Sequence, residues 1–274
     1  MVSLLSNPLA TAEQLSSSPS QADGLPASLE VTLRWAGLTL LQSAGLLLRL
    51  PQPAIATAQL LYQRFFLLRS FRTFSVLSGS QASLFLASKL SEVPVAPRSI
   101  INVTTYLLST TSPSPISPLA TTTSSYVSEH AYHLQRTRLL AAETELLKAV
   151  GYDTHAALPY ALAVNYAQAL DCLQKSLLQR AFAYLSDVMF SPSCVYLTHQ
   201  PNALAAAALY LAARDEAVKL PECWWEVFDV EREDLGFLVA GMGGVEGFVK
   251  EQRERWRELG GVWELEQVEE LLRR

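Results

Sequence analysis

The chain has 274 residues, of which 50% are hydrophobic and 17% charged, with a formal net charge of −5. So apolar a chain closes a core, which excludes disorder throughout, and its length allows about one to two domains of roughly 100–200 residues. The negative balance supplies no field to draw in phosphate backbones, so no direct nucleic-acid partner is expected.

A membrane span needs roughly 20 apolar residues in a row. The best run, 36–48, stops at Arg49 and contains Thr39, Gln42 and Ser43. The uncharged stretch 99–128 is filled with Ser, Thr and Pro, and 188–213 is cut by Pro192 and Pro201. No membrane partner is expected. No basic residue precedes Arg34, which argues against a secretory or transit leader. Cys172, Cys194 and Cys223 form no CxxC pair and fit a reducing compartment, nucleus or cytosol.

Residues 1–29 are rich in Ser, Pro, Ala and Gln and are expected as a flexible tail. From Val31 the pattern turns helical, with Leu40, Leu41, Ala44, Leu47 and Leu48 on one face of a 3.6-residue period. Pro51 ends that helix, and Pro53 suits the first turn of the next, where its missing N–H costs nothing. Ile55, Ala58, Tyr62 and Phe65 continue the stripe. A third helix over 79–90 is apolar nearly all round, as a central bundle helix must be, and a fourth spans 98–108. Three prolines and a run of hydroxyl residues make 109–125 a long loop. A fifth helix, 127–150, stops at Gly151.

The cycle then repeats, with helical stretches near 159–172, 173–189, 202–217, 223–228 and 231–240. SLFLASK (83–89) is echoed by ALYLAAR (208–214), each a small-and-apolar helix ending in a cation. Proline follows both, at Pro94 and Pro221. With no alternating strand pattern, the fold class is all-α, two tandem five-helix units. The last segment, 246–274, mixes both charge signs with Phe248, Trp256 and Trp263. It predicts a charged helix packing its aromatics on the second unit, with a break at Gly260 and Gly261.

LRWAGLTLLQSAGLLLRLPQPAIATAQLLYQRFF (33–66), LFLASKLSEVP (84–94) and RSIINV (98–103) resemble the first box of the cyclin family. QPNALAAAALYLAARDEAVKLP (200–221) resembles the second box. The likeness is greatest to cyclin L and its transcription-associated relatives, cyclins T and K. It implies cyclin boxes at 30–152 and 153–245. It also implies a nuclear regulatory subunit of a cyclin-dependent Ser/Thr kinase, linked to RNA polymerase II transcription or RNA processing, with no catalysis of its own. The kinase's regulatory helix would be held by Lys89, in LASKLSE, and Glu143, in AETELLKAVGY, with Leu86, Leu90, Glu92, Leu147 and Tyr152 around them. The acidic pair usual after the lysine is reduced here to Ser91-Glu92, and Val95-Ala96-Pro97 replaces the charged residues usual after the proline.

From the residues alone, Lys89 must snorkel to solvent or find oxygen partners, because an unpaired buried ammonium is expensive. It equally suits a surface lysine at the negative end of its helix. Glu143 has Arg138 at i−5 and Lys148 at i+5, neither a good intrahelical partner. Ser112, Ser114 and Ser117 each precede a proline and are candidate phosphorylation sites. His130 and His133 lack the carboxylate or thiolate company of a metal site. The glycines of 241–247 lack the spacing and preceding strand of a dinucleotide loop and read as a linker. No cofactor, metal or small-molecule ligand is expected. Two other readings stay open: a general transcription factor of the TFIIB type, which would need a basic surface and a zinc ribbon, and a cyclin-fold scaffold that no longer activates a kinase.

Overall fold

Ser75 and Ser128 each start a long helix. In the computed structural model, which describes residues 5–111 and 127–273, their hydroxyls accept the backbone N–H groups of Ser78 and Ala131. Each cap satisfies a donor that the first turn leaves open. Among the described residues every regular element is helical.

Two single turns, α1 (Ala12–Ser16) and α2 (Pro19–Ala22), precede α3 (Ala27–Leu47), α4 (Gln52–Leu68), α5 (Val76–Leu90), α6 (Pro97–Thr111) and α7 (Glu129–Ala149). Then come α8 (Tyr160–Ala169), α9 (Lys175–Asp187), the short α10 (Val195–Thr198), α11 (Pro201–Asp215) and α12 (Arg232–Gly243). The chain closes with α13 (Val245–Leu259) and α14 (Leu265–Arg273). The backbone divides into two compact units, one of Ala12–Thr154 with Gln252–Arg274, the other of Met1–Thr11 with His155–Glu251.

In the first unit α5 packs against α3, α4, α6 and α7, which is why it is apolar nearly all round. Close approach is built into its neighbours. A Cβ at Gly37 of α3 would lie 2.0 Å from the Tyr62 hydroxyl, and one at Gly79 of α5 would lie 2.6 Å from the Phe66 ring. The aromatic centre is Tyr62, Phe65, Phe66 and Phe71, all at most 1% exposed, with Phe66 stacked on Phe71 at 3.8 Å. In the second unit α11 holds the equivalent place against α8, α9 and α12, and its run from Leu204 to Leu209 is fully buried. Alanine dominates that run, so neighbouring helices come close with little side-chain entropy lost.

Several helices stop in the same way. Arg49, Glu92, Asp171 and Ala217 follow α3, α5, α8 and α11 with φ of 57°, 55°, 53° and 54°. The next N–H, from Leu50, Val93, Cys172 and Val218, returns to Gly45, Ser88, Ala167 and Ala213 at 2.8–3.0 Å. This is the left-handed closure that glycine usually fills. After α7 it is Gly151 that takes it, with φ 62°, and there Tyr152 follows with φ 60°; Gly24 does the same after α2, with φ 87°.

Three sequence expectations differ from the structure. Residues expected in a flexible tail carry α1 and α2, and Asn7, Ser18, Ser20 and Leu25 are at most 5% exposed. Their polar side chains make specific bonds: Asn7 exchanges two 2.8 Å hydrogen bonds with Ala157, and the Ser20 hydroxyl accepts the Phe71 N–H. The helical stretch expected near 223–228 is present as a 3-10 segment, Trp224–Phe228, opened by Cys223 and closed by Asp229, both at positive φ. The expected glycine linker at 241–247 is helical on both sides of Gly244. The trailing segment breaks at Gly260 and Gly261 as expected, but from Gln252 on it belongs to the first unit, not the second. Gln252 accepts the Thr32 hydroxyl at 2.7 Å, the Trp263 carbonyl accepts the Leu77 N–H, and Arg72 donates to Glu269.

Candidate functional site

The ends of α5 and α7 bring the two predicted charges together. Lys89 occupies the last turn of α5, where a cation is favoured by the helix's negative end. Its ammonium donates to Glu143 Oε1 across the helix pair. Glu143 is only 8% exposed, whereas the Lys89 side chain is 43% exposed. Lys89 also stands 4.3 Å from the centre of the Phe85 ring, a cation–π contact. The carboxylate is thus the buried anchor and the ammonium the presented group. Removing Lys89 would leave an uncompensated charge in a nearly dry position, which is costly.

The other predicted residues divide between core and surface. Leu86 is buried at 5% and supports the helix from within, and Leu147 is half-buried. Leu90 is 41% and Tyr152 68% exposed, and Glu92 is exposed on its left-handed turn. Sequence reasoning missed Val93, 40% exposed, and Phe85. Phe85 lies at i−4 from Lys89, a spacing that places two side chains on one helix face and could have revealed it. The Ser88 hydroxyl accepts the Val95 N–H, which folds the SEVP turn back on its helix.

Other candidates lie apart from this surface. Ser112, Ser114 and Ser117 fall outside the described residues. His133 pairs with Glu129 at 3.1 Å, and Glu129 also takes Arg98, which holds its carboxyl below the usual range. Among the described residues no group of His, Cys, Asp or Glu is arranged to hold a metal. None of the three cysteines is in a disulfide. A cleft of about 350 Å³ in the first unit is lined by Thr73, Ser75, Arg138, Glu145 and Glu264 among others. Burial pushes the Glu264 carboxyl upward there. No helix of the described residues is long and apolar enough to cross a membrane.

Fold and site together define a two-box, all-helical protein whose first box presents an ion-paired, partly apolar surface. No protein-family model matches the chain. It is 36% identical over 237 residues to mouse Cyclin-L2, covering 84% of this chain and 43% of that protein. It is also 36% identical over 226 residues to human Cyclin-L1, covering 81% and 41%. Among solved structures, it superposes with TM-score 0.69 on a chain of the yeast RNA polymerase II CTD kinase CTDK-1 complex. That match has 15% identity and covers 87% of this chain and 72% of that one. A viral cyclin from herpesvirus saimiri superposes with TM-score 0.57 at 14% identity, covering 82% and 87%. Cyclins L1 and L2 are homologues of this chain over most of its length. The chain spans less than half the length of these curated relatives.

Proposed function

We propose that the protein is the regulatory subunit of a cyclin-dependent Ser/Thr kinase that acts in the nucleus on RNA polymerase II transcription or RNA processing, and that it is not itself an enzyme. In this reading the first box is 30–152 and the second 153–245. The observation that carries it is the Lys89–Glu143 pair at the ends of α5 and α7, beside exposed Leu90, Val93 and Tyr152. An ammonium has three N–H groups, so a Lys89 already steadied by Glu143 has donors to spare for the open carbonyl groups at the end of a partner helix. Apolar side chains around one presented charge suit a helix-docking surface.

A kinase is active when its strand lysine pairs with the glutamate of its regulatory helix and its activation loop is held open. A rigid box that binds only the helix-in arrangement shifts the population by its difference in affinity for the two states. Ser112, Ser114 and Ser117 fit the same reading as targets of a proline-directed kinase, to be checked by phosphopeptide mapping of the complex.

The test is affinity purification from the native cell, with bound kinase assayed on an RNA polymerase tail peptide. Lys89→Glu and Glu143→Lys should each weaken kinase recovery at least tenfold, since truncating a buried charge pair at an interface costs about 2–5 kcal/mol. Lys89→Met, which keeps the apolar stem, separates docking from folding when circular dichroism matches wild type. Undiminished kinase recovery by folded charge-reversal variants would overturn the proposal.

A further inference from the structure

The N-terminal segment is fastened to the first unit by one buried polar knot. Glu30 of α3 is 2% exposed. Its Oε2 accepts the Ser18 hydroxyl at 2.7 Å and the Gln21 side-chain amide at 2.9 Å, and its Oε1 accepts Arg34 at 2.6 Å. Ser18 is itself 3% exposed and caps α2 by accepting the Gln21 N–H. Beyond it, the Ser20 hydroxyl accepts the Phe71 N–H, Arg72 donates to the Asp23 carbonyl, and Leu25 is 2% exposed. Residues 17–26 thus form a clip across α3 and the turn after α4.

Ser18 is followed by Pro19, the dipeptide that proline-directed kinases recognise. We propose that Ser18 is a phosphorylation site whose modification opens this clip. A proline-directed Ser/Thr kinase with ATP supplies the group. The Ser18 oxygen forms a bond to the γ-phosphorus, the bridging bond to the β-phosphate breaks, ADP leaves, and the hydroxyl proton passes to the kinase's catalytic carboxylate.

The product does not fit the closed clip. The ester oxygen has no proton, so the bond donated to Glu30 is lost, and a group carrying about −1.5 to −2 charges faces a carboxylate in a site closed to water. Arg34 is the cation at hand, and it is committed to Glu30 at 2.6 Å. α2 is a single turn, so its dipole offers little compensation. Because Ser18 is buried, the kinase reaches it only when the clip opens locally. A short segment held by a few side-chain bonds is among the parts of a fold that open most readily. Phosphate then keeps it open, with Leu25 and Phe71 uncovered.

The experiment uses the full chain with Ser112, Ser114 and Ser117 changed to Ala, incubated with ATP and a mitogen-activated protein kinase. Mass spectrometry reads the site, and hydrogen–deuterium exchange reads residues 12–29. Phosphate should appear at Ser18, several-fold faster in Arg72→Ala, which loosens the clip, and amides 17–29 should exchange at least tenfold faster once it is added. In Glu30→Gln the repelling charge is gone and Arg34 is released to the phosphate, so modification should raise exchange much less. No phosphate at Ser18 in either wild type or Arg72→Ala, or phosphate that leaves exchange unchanged, would overturn the proposal.

Discussion

His199 is a residue whose surroundings set a pH response. It sits at the end of α10, its Nδ1 2.8 Å from the Thr198 hydroxyl and its ring stacked 5.4 Å from Phe237. Burial lowers its pKa below the ordinary value of 6.5, with Asp234 opposing and the Val195 backbone bond opposing further. The unfolded chain therefore binds a proton that the folded one refuses. The stability the neutral ring contributes is complete above about pH 6.5 and is lost as pH falls through that value toward the folded pKa. The melting temperature should drop between pH 7.5 and 5.5, and His199→Phe, which keeps the stacking and cannot titrate, should shrink that drop. Lys89 and Glu143 show the other side of the residue scale. Each was placed by a family likeness, because a lysine ending an apolar helix and a glutamate without an intrahelical partner give no reason to meet across 54 residues of sequence.

Helices show where the sequence is readable and where it stops being so. The boundaries of α4, α5 and α7 follow from Pro51, the apolar run before Ser91 and the stop at Gly151, yet α5 starts at Val76, earlier than expected, because Ser75 caps it. The clip at 17–26 escaped detection because its stabilising contacts are serine and glutamine bonds to Glu30 and to the backbone at Phe71, and composition shows only polarity there. The C-terminal segment was readable as amphipathic, but two tryptophans carry no address. Trp256 and Trp263 pack edge to face at 4.8 Å, with Trp263 held to the first box at Leu77. Between α3 and α4 the decisive feature is Gly37, with the Tyr62 ring lying where a side chain would be. Gly37→Ala puts a methyl 2.0 Å from the hydroxyl and 2.2 Å from the ring carbon bearing it. Overpacking of this kind costs about 1–3 kcal/mol or more, so the urea midpoint should fall sharply. Tyr62→Leu in the same chain should recover part of the loss, since it removes both clashing atoms.

At the scale of the molecule, two boxes repeat one plan: an apolar third helix, α5 and α11, ends in a cation and turns through a left-handed residue, Glu92 in one and Ala217 in the other. The echo of the third helices was legible in the sequence as SLFLASK and ALYLAAR; the shared turn was not, because neither position is glycine. Those turns leave room for directed improvement that differs from site to site. A non-glycine residue in the left-handed region costs about 1–2 kcal/mol, partly regained by glycine after its looser unfolded state is counted. Ala217→Gly should therefore raise the melting temperature with kinase recovery unchanged. Tyr152→Gly should also firm the fold while kinase recovery falls, because its exposed ring belongs to the proposed docking surface. Thermal tolerance and partner affinity would then separate at two left-handed positions of the same chain, and a selection for heat resistance alone would enrich glycine at both.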